Sequence, residues 1–139
     1  MAKFNFRLEK LLEFRRLQEK WAKDAYLESR ARRNEGEIAI EEVRMRRFEV
    51  LRSSATSISS LRQMESYLMR LDDEEQASIA ALGVLEDEER EARDAWIFAK
   101  SESEAIQKLR EQAYADWKRD ELRREQNELD EWSVMRRTA

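Results

Sequence analysis

The segment RSSATSISS, residues 52–60, separates two long stretches of the chain and decides how they are arranged. Seven of its nine residues are serine, threonine or alanine, and none is acidic. Serine and threonine side chains compete for backbone hydrogen bonds and favour caps and turns over helix interiors. We therefore predict a turn here, with Ser57, Ser59 or Ser60 capping the helix that follows. The alternative is that the first helix continues through the segment.

The stretches on either side have the composition of long helices. The 139 residues include no proline and only two glycines, although an average chain of this length has roughly 7 and 10. Charged residues make up 42% of the chain, against roughly 25% in ordinary domains. Apolar residues recur about twice per heptad, which is too narrow a face for a compact globule and suits another narrow seam. This pattern predicts an all-α fold, a long antiparallel two-helix coiled-coil hairpin.

The first helix is predicted over about residues 3–52. A second apolar ridge, formed by Phe14, Leu17 and Trp21, lies beside its seam. Gly36 falls on the seam between polar residues, so this region is expected to be bent or loosely packed. The seam positions, at three-then-four spacing, are Leu8, Leu11, Arg15, Gln18, Ala22, Ala25, Ser29, Arg32, Gly36, Ala39 and Val43.

The second half is predicted to contain a short helical segment over about 58–71 and a last long helix over about 73–136. Asp72, with Glu75 three residues later, has the pattern of a helix start. A turn near residue 56 would leave the last ~30 residues without a partner segment, whereas a turn near Asp72 would bring the termini together. The whole chain, 1–139, is expected to form a single coiled-coil domain. The predicted seam positions of the last helix are Leu82, Leu85, Ala92, Trp96, Ala99, Ser103, Ile106, Ala113 and Trp117, after which the stripe shifts to Leu122, Leu129 and Trp132.

Several function classes lack the residues that they need. The chain has no histidine and no cysteine, and it contains no glycine-rich phosphate loop, nucleophile motif or metal-ligand spacing. We expect no enzyme activity, no catalytic residue, no metal and no cofactor. No run of about 18 apolar residues and no apolar signal region occurs, so we expect a cytoplasmic protein with no direct membrane insertion.

Charge is distributed unevenly along the chain. The net charge is −4, but residues 1–33 carry ten basic and five acidic residues, and residues 72–94 carry ten acidic and two basic residues. Such asymmetry can steer encounters between proteins. Because nucleic-acid binders are usually basic overall, we expect no nucleic-acid partner. The remaining class is a helical protein that contacts other proteins.

Three segments resemble the flagellar export protein FliJ family. They are FNFRLEKLLEFRRLQEKWAKDAYLE (residues 4–28), SSATSISSLRQMESYLMRL (residues 53–71) and LREQAYADWKRDELRREQNELDEWSVMRR (residues 109–137). The resemblance covers nearly the whole chain and agrees with its length. It implies a non-enzymatic stalk or adaptor of the flagellar type III export apparatus, cytoplasmic and peripheral at the inner membrane. The implied partners are the export ATPase hexamer, the cytoplasmic domain of an export-gate membrane protein, and export chaperones.

The resemblance also implies two sets of contact residues. Its N-terminal and C-terminal motifs would meet at one end of the hairpin and contact the ATPase ring. The segment after the turn, with Leu61, Tyr67, Leu68 and Leu71, would contact the export gate. The implied ring contacts are Phe4, Phe6, Arg7, Leu8, Leu11, Arg15, Glu19, Glu125, Leu129, Asp130 and Glu131.

Three alternatives remain open at this stage. One is the related stalk of a virulence-type type III secretion system, which genomic neighbours would distinguish. Another is a structural coiled coil that self-associates as a dimer. The third is an isolated adaptor or chaperone for export substrates, which would recover chaperones but no ATPase in a pull-down.

Overall fold

Two long helices make up almost all of the chain. The computed structural model describes residues 3–138, and within them helix α1 spans Glu9–Arg52 and helix α2 spans Ile58–Thr138. The two helices pack against each other, and the described residues contain no strand. The predicted all-α helical hairpin is therefore confirmed.

The serine-rich segment forms the predicted turn. The backbone N–H and the Oγ of Ser53 both donate to the Val50 carbonyl, at 3.1 and 2.6 Å, where α1 ends. At the start of α2, the Ser60 N–H donates to Ser57 Oγ at 3.1 Å, and the Leu61 N–H donates to the Ser57 carbonyl at 3.0 Å. Ser57 is thus the cap of α2, one of the three candidates that the sequence offered.

Two expected boundaries differ from the structure. Helix α2 runs without interruption through residues 71–73, so the break expected at Asp72 is wrong. Asp72 and Glu75 instead form ion pairs with Arg47 of α1. The two carboxylates that suggested a helix start are therefore contacts between the helices. Helix α1 begins at Glu9 rather than near Lys3, because residues 3–6 are irregular and the Glu9 N–H bonds to the Phe6 carbonyl at 3.2 Å.

The contacts divide the chain into two compact units, which we call the terminal unit and the turn unit. The terminal unit takes Met1–Lys20 and Ile97–Ala139, and the turn unit takes Trp21–Trp96. Each unit contains one segment of α1 and one segment of α2. That the whole chain acts as one coiled-coil domain stays a prediction.

In the terminal unit the two helical segments run antiparallel. Glu9 pairs with Arg110 at 2.8 Å, and Arg15 pairs with Glu102 at 2.6 Å. Farther along α1, Glu19 accepts a hydrogen bond from Ser103 Oγ at 2.7 Å. From Glu9 to Arg15 the partner on α2 moves back from Arg110 to Glu102, which is the signature of antiparallel pairing.

The turn unit has the same antiparallel arrangement. Tyr26 stacks on Trp96 with ring centroids 5.5 Å apart, and Arg33 pairs with Glu89. Nearer the turn, Arg47 lies against Glu75. Polar pairs therefore interrupt the apolar seam, and because ion pairs in contact with solvent add little to stability, their main effect is to select the register.

The seam of α2 agrees with the sequence prediction, whereas the seam of α1 is corrected at three positions. Leu12 is fully buried and the neighbouring Leu11 is 38% exposed, although the sequence had placed Leu11 on the seam. The same shift by one residue recurs along α1, because the side chains of α2 select the inward position. The inward residues Leu12, Tyr26 and Arg33 replace the exposed Leu11, Ala25 and Arg32, whereas Gln18 and Ala39 are partly buried beside the inward Glu19 and Ile40.

Gly36 allows a close approach of the two helices in the turn unit. A Cβ atom at Gly36 would lie 3.0 Å from Leu85 Cδ1 and 3.3 Å from Leu82 Cδ1. The expectation of loose packing at this glycine is therefore wrong. The absent side chain is what lets two leucines of α2 fit against α1.

Candidate functional site

The start of the chain folds onto α2 through an aromatic cluster. The ring of Phe4 meets Tyr114 edge-on at 5.2 Å and lies 5.8 Å from Trp117. The guanidinium of Arg110 lies 5.5 Å from the Phe4 ring centre while its Nε pairs with Glu9. Phe4 and Phe6 are both half-buried. Phe4, an implied contact with the ATPase ring, therefore already packs against residues of its own chain.

Two more of the implied ring contacts also have intramolecular partners. Arg15 is held between Gln18 and Glu102, at 3.1 and 2.6 Å. Glu19 accepts the hydrogen bond from Ser103 on the seam. These charges hold the pairing of the two helices, so a contact with another protein would have to use their remaining exposed atoms.

An apolar ridge of α1 faces solvent in the terminal unit. Leu11, Phe14 and Leu17 are each exposed although they are large and apolar. They lie on successive turns at one side of the seam, as the three-residue spacing requires. We call these three residues the N-terminal ridge. Trp21, the third member of the ridge predicted from sequence, is also exposed but belongs to the turn unit.

Helix α2 continues beyond the aromatic cluster. Trp117 is the last α2 residue in the aromatic cluster, and every residue from Leu122 to Thr138 is exposed. We call residues 122–138 the C-terminal extension. Of the two turn positions considered from sequence, the structure has the one that leaves the end of the chain without a partner segment.

The extension carries its apolar residues on the side away from the seam. Continuing the heptad of α2 places Val134 on the seam side, whereas Leu122 and Leu129 lie opposite it and Trp132 lies next to them. Arg136 stacks over the Trp132 ring at 4.6 Å. The extension therefore has an exposed apolar stripe that α1 could not cover even if α1 were longer.

The structure separates the two sets of implied ring contacts. The N-terminal motif packs beside residues 102–117, and the C-terminal motif lies in the extension. The expected meeting of both motifs at one level is therefore wrong. The physical reason is the position of the turn, at residues 53–57. This turn pairs the start of α1 with residues 102–110 of α2 and not with the end of α2. The four implied contacts in the extension, all exposed, are Glu125, Leu129, Asp130 and Glu131.

The implied gate contacts differ in how much of each is accessible. Leu71 is only 1% exposed and is part of the seam core. Tyr67 and Leu68 are half-buried, and Leu61 is 54% exposed. Leu61 is therefore the member of this set with the most surface for another protein, while Leu71 holds the helices together.

Sequence reasoning missed an apolar surface near the turn. Met45, Phe48 and Leu51 of α1 and Ile58 of α2 are all exposed within a few residues of the serine-rich segment. Met45 and Phe48 are three residues apart on the side of α1 away from its seam. This spacing off the seam was the signal that could have revealed them.

A cluster of arginines from α1 and carboxylates from α2 joins the two helices in the turn unit. Arg46 pairs with Glu74 at 2.7 Å, and Arg47 pairs with Asp72 at 2.8 Å. The guanidinium groups of Arg47 and then Arg44 hold the pKa of Glu75 below its usual value, because both donate hydrogen bonds to its carboxylate. We call this set the arginine–carboxylate cluster; it consists of Arg44, Arg46, Arg47, Asp72, Glu74 and Glu75.

Two kinds of feature are absent from the described residues. Between residues 3 and 138, no helix has a stretch long and apolar enough to cross a membrane. Within the same range, no group of three or more acidic side chains is arranged to hold a metal ion. The features that the described residues offer for recognition are the exposed apolar surfaces of the two helices.

These observations define a helical-hairpin coiled-coil protein with exposed apolar surfaces on its helices. A family model described as "Flagellar FliJ protein" matches residues 4–138, and the chain belongs to this family. It is thus a coiled-coil protein related to flagellar export. No curated protein and no solved structure is significantly similar to the chain.

Proposed function

We propose that this protein is a non-enzymatic central stalk of the flagellar type III export apparatus, with its terminal end inserted in the ring of the export ATPase. The observation that carries the proposal is the C-terminal extension of a FliJ-family chain. It is a single exposed helix whose apolar stripe faces away from α1. A single helix is about 10–12 Å across with its side chains, which suits entry into the opening of a ring.

The ring contact is assigned mainly to the extension and to the N-terminal ridge. Leu129, Glu125 and Glu131 offer one apolar and two charged side chains that have no partner in α1. Leu11 contributes from α1, whereas Phe4, Arg15 and Glu19 support the site through their contacts within the chain. The centre of the ring contact is therefore the extension rather than both termini.

A second contact, with the export gate, is assigned to the apolar surface near the turn. Leu61, Ile58 and Phe48 are exposed there, and they would contact the cytoplasmic domain of the export gate. A protein held between these two partners would be cytoplasmic and peripheral at the inner membrane. Escort of export chaperones is a further part of the family role, and it is tested by whether chaperones are recovered with the protein.

Co-purification with the export ATPase of the same organism tests the ring contact. We expect the wild type and Val134→Ala to bind and Leu129→Ala to bind more weakly. Leu129 and Val134 are equally exposed, each at 60%, but lie on opposite sides of the same helix. Circular dichroism verifies that both variants remain helical. Equal binding of the two variants would contradict the assigned face.

ATPase turnover tests whether insertion has a consequence for the ring. The stalk is expected to bias the ATPase subunits toward assembled or active states, so turnover should rise when the protein is added. Unchanged turnover at saturating protein would contradict the stalk, even if the two proteins co-purify. Recovery of chaperones without any ATPase would instead favour the adaptor.

A further inference from the structure

In the turn unit, the side of α1 away from α2 carries a second row of residues at coiled-coil spacing. Buried Ser29, Ile40 and Val43 mark the side of α1 that faces α2. About half a turn away from them, exposed residues recur at alternating intervals of four and three, which is the spacing of a seam. We call this row the outer seam; it consists of Leu27, Ala31, Asn34, Ile38, Glu41 and Met45.

The outer seam contains an open apolar groove. Ile38 and Met45 are 56% and 58% exposed, although both are large and apolar. They line a shallow groove together with Glu41, Glu42 and Arg46. Side chains of a helix laid along α1 could enter this groove, as they do at an ordinary coiled-coil seam.

The length of the outer seam suits one helix. From Leu27 to Met45 it extends for about 27 Å, which corresponds to a helix of about 18 residues. It ends before Phe48, because the guanidinium of Arg52 lies over the Phe48 ring at 5.6 Å. The outer seam is therefore separate from the apolar surface near the turn that is assigned to the export gate.

The charges on this side of α1 are all negative. Between residues 24 and 49, the three positions of each heptad that lie farthest from α2 carry six carboxylates and no lysine or arginine. Four of these carboxylates recur every seven residues beside the outer seam, at Glu28, Glu35, Glu42 and Glu49. None of the four takes part in an ion pair within residues 3–138. The other two carboxylates are Asp24 and Glu41.

The arginines of the same segment lie nearer α2. Arg30 and Arg32 lie at the two edges of the outer side, and Arg32 donates a hydrogen bond to Ser29 Oγ at 3.4 Å. The remaining four pair with carboxylates of α2; they are Arg33, Arg44, Arg46 and Arg47. Contacts within the hairpin thus compensate most of the positive charge of this segment and leave the glutamates beside the outer seam uncompensated.

These charges select among the possible occupants of the outer seam. A nucleic acid or an anionic lipid surface would bring phosphates against the carboxylates. The same side of a second copy would add six more carboxylates. Because opposite charges beside matching apolar surfaces favour docking, the best occupant is a helix whose apolar row is flanked by basic residues.

We propose that the outer seam binds an amphipathic α-helix of another protein, with apolar residues at heptad spacing and lysine or arginine beside them. The apolar residues of the bound helix fill the groove between Ile38 and Met45, and its cations face Glu35 and Glu42. The bound helix lies along α1 as a third helix. The contact is about one helix long, so binding is reversible, and it does not rest on the proposed stalk function.

Two synthetic peptides of about 21 residues test the proposal by fluorescence anisotropy with the full chain. Both have leucine at the first and fourth positions of each heptad. One has lysine at the two flanking positions, and the other has glutamate there. The lysine peptide should bind and the glutamate peptide should not. Binding should weaken at high salt, because salt screens the charge pairs.

Matched substitutions of apolar residues locate the binding surface. Ile38→Gln should weaken binding of the lysine peptide about tenfold, because it places a polar side chain in the groove. Val84→Gln is the control, since Val84 is 58% exposed on α2 of the same unit, and this variant should bind like the wild type. Circular dichroism verifies that both variants remain helical.

Charge reversal tests the class of partner. In a Glu35→Lys/Glu42→Lys variant the preference should invert, so that the glutamate peptide binds more tightly than the lysine peptide. Glu91→Lys is the control, because it reverses an exposed carboxylate of α2, and it should retain the preference of the wild type.

Several results would overturn the proposal. Binding of neither peptide, or equal binding of both, would exclude a basic helix as the occupant. A loss at Val84→Gln as large as the loss at Ile38→Gln would exclude the outer seam as the site. Self-association of the chain that Ile38→Gln abolishes, measured by sedimentation equilibrium, would make a second copy the occupant. These measurements contain neither the ATPase nor the export gate, so their failure would leave the stalk function standing.

Discussion

At the scale of single residues, neighbours with the same chemistry take opposite roles in α1. Leu11 and Leu12 have identical side chains, yet Leu12 is buried on the seam and Leu11 belongs to the exposed ridge. The difference arises from α2, because its side chains pack around Leu12 and leave Leu11 facing solvent. A residue's own chemistry is therefore insufficient to assign it to the seam of a charged coiled coil.

The two glycines are expected to respond differently to alanine. At Gly83 a Cβ atom would meet nothing within 4 Å, so Gly83→Ala should stabilise the fold by up to about 1 kcal/mol through helix propensity. Gly36→Ala should yield a clearly smaller gain, because its Cβ would crowd the methyl groups of Leu85 and Leu82. Urea unfolding followed by circular dichroism measures both changes, and an equal gain at both sites would contradict the close packing at Gly36.

The two leucines after the turn provide a second residue-scale comparison. Leu71→Ala removes a fully packed side chain and should cost about 2–5 kcal/mol of unfolding free energy. Leu61→Ala removes a half-exposed side chain and should cost only about 0.5 kcal/mol. Thermal and urea unfolding of the two variants give the comparison. Similar costs would show that Leu61 is packed as firmly as Leu71.

At the scale of elements, local signals decide where α2 begins, whereas the acidic residues near Asp72 make contacts with a distant part of the chain. The cap at Ser57 uses residues within one turn of the helix start. Within the continuous helix, Asp72 pairs with Arg47, which is 25 residues away in sequence. The first kind of signal is visible in a short stretch of sequence, and the second is not.

Removal of the cap should destabilise the start of α2. Ser57→Ala leaves the Ser60 N–H without its acceptor and should lower the free energy of unfolding by about 1 kcal/mol. Ser59→Ala is the matched control, because Ser59 is exposed and outside the capping hydrogen bonds. Urea unfolding of the two variants is the measurement. A loss at Ser59 as large as the loss at Ser57 would show that the cap lies elsewhere.

The arginine–carboxylate cluster should make the pairing of α1 with α2 sensitive to acid. The pKa of Glu75 in the folded chain lies below its unfolded value of about 4.3. Its stabilisation is therefore complete above the unfolded pKa and is lost as the pH falls through the folded pKa. We expect the urea midpoint of the wild type to fall between about pH 7 and about pH 3 more steeply than that of Glu75→Gln.

The control for this pH dependence is Glu91→Gln, which removes an exposed carboxylate that has no ion-pair partner in the described residues. It should retain the acid sensitivity of the wild type. A Glu75→Gln profile parallel to that of the wild type would show that other carboxylates carry the effect.

At the scale of the whole molecule, the hairpin and the C-terminal extension should have separable roles. The extension has no residue buried against α1, so its deletion removes no packed side chain from either helix. A chain that ends at Glu121 should unfold at nearly the same urea concentration as the full chain. It should also fail to co-purify with the export ATPase if the extension is the ring contact.

Unfolding of the shortened chain by urea and its co-purification with the ATPase are the two measurements. A midpoint that falls as far as that of Leu71→Ala would show that the extension packs on the hairpin. Undiminished binding of the ATPase would move the ring contact to the N-terminal ridge.

The sequence alone determined the fold class, a turn in the serine-rich segment and the family, and it limited the cap of α2 to three serines. Proline and glycine are nearly absent, the serine-rich segment stands alone, and Leu82, Leu85 and Ile106 lie at the seam spacing of α2. Each of these signals is local or is repeated along one helix. Such signals can be interpreted without knowing which residues pack against them.

Only the tertiary structure decided which residues of α1 face α2 and which surfaces remain open. The choices between Leu11 and Leu12, and between Arg32 and Arg33, are settled by the opposing side chains of α2. The same pairing leaves the extension beyond the start of α1 and turns its apolar stripe outward. The physical reason is that a one-residue shift on a helix moves a side chain by about 100° at almost no local cost, so the energy that selects the register lies in contacts between segments far apart in the chain.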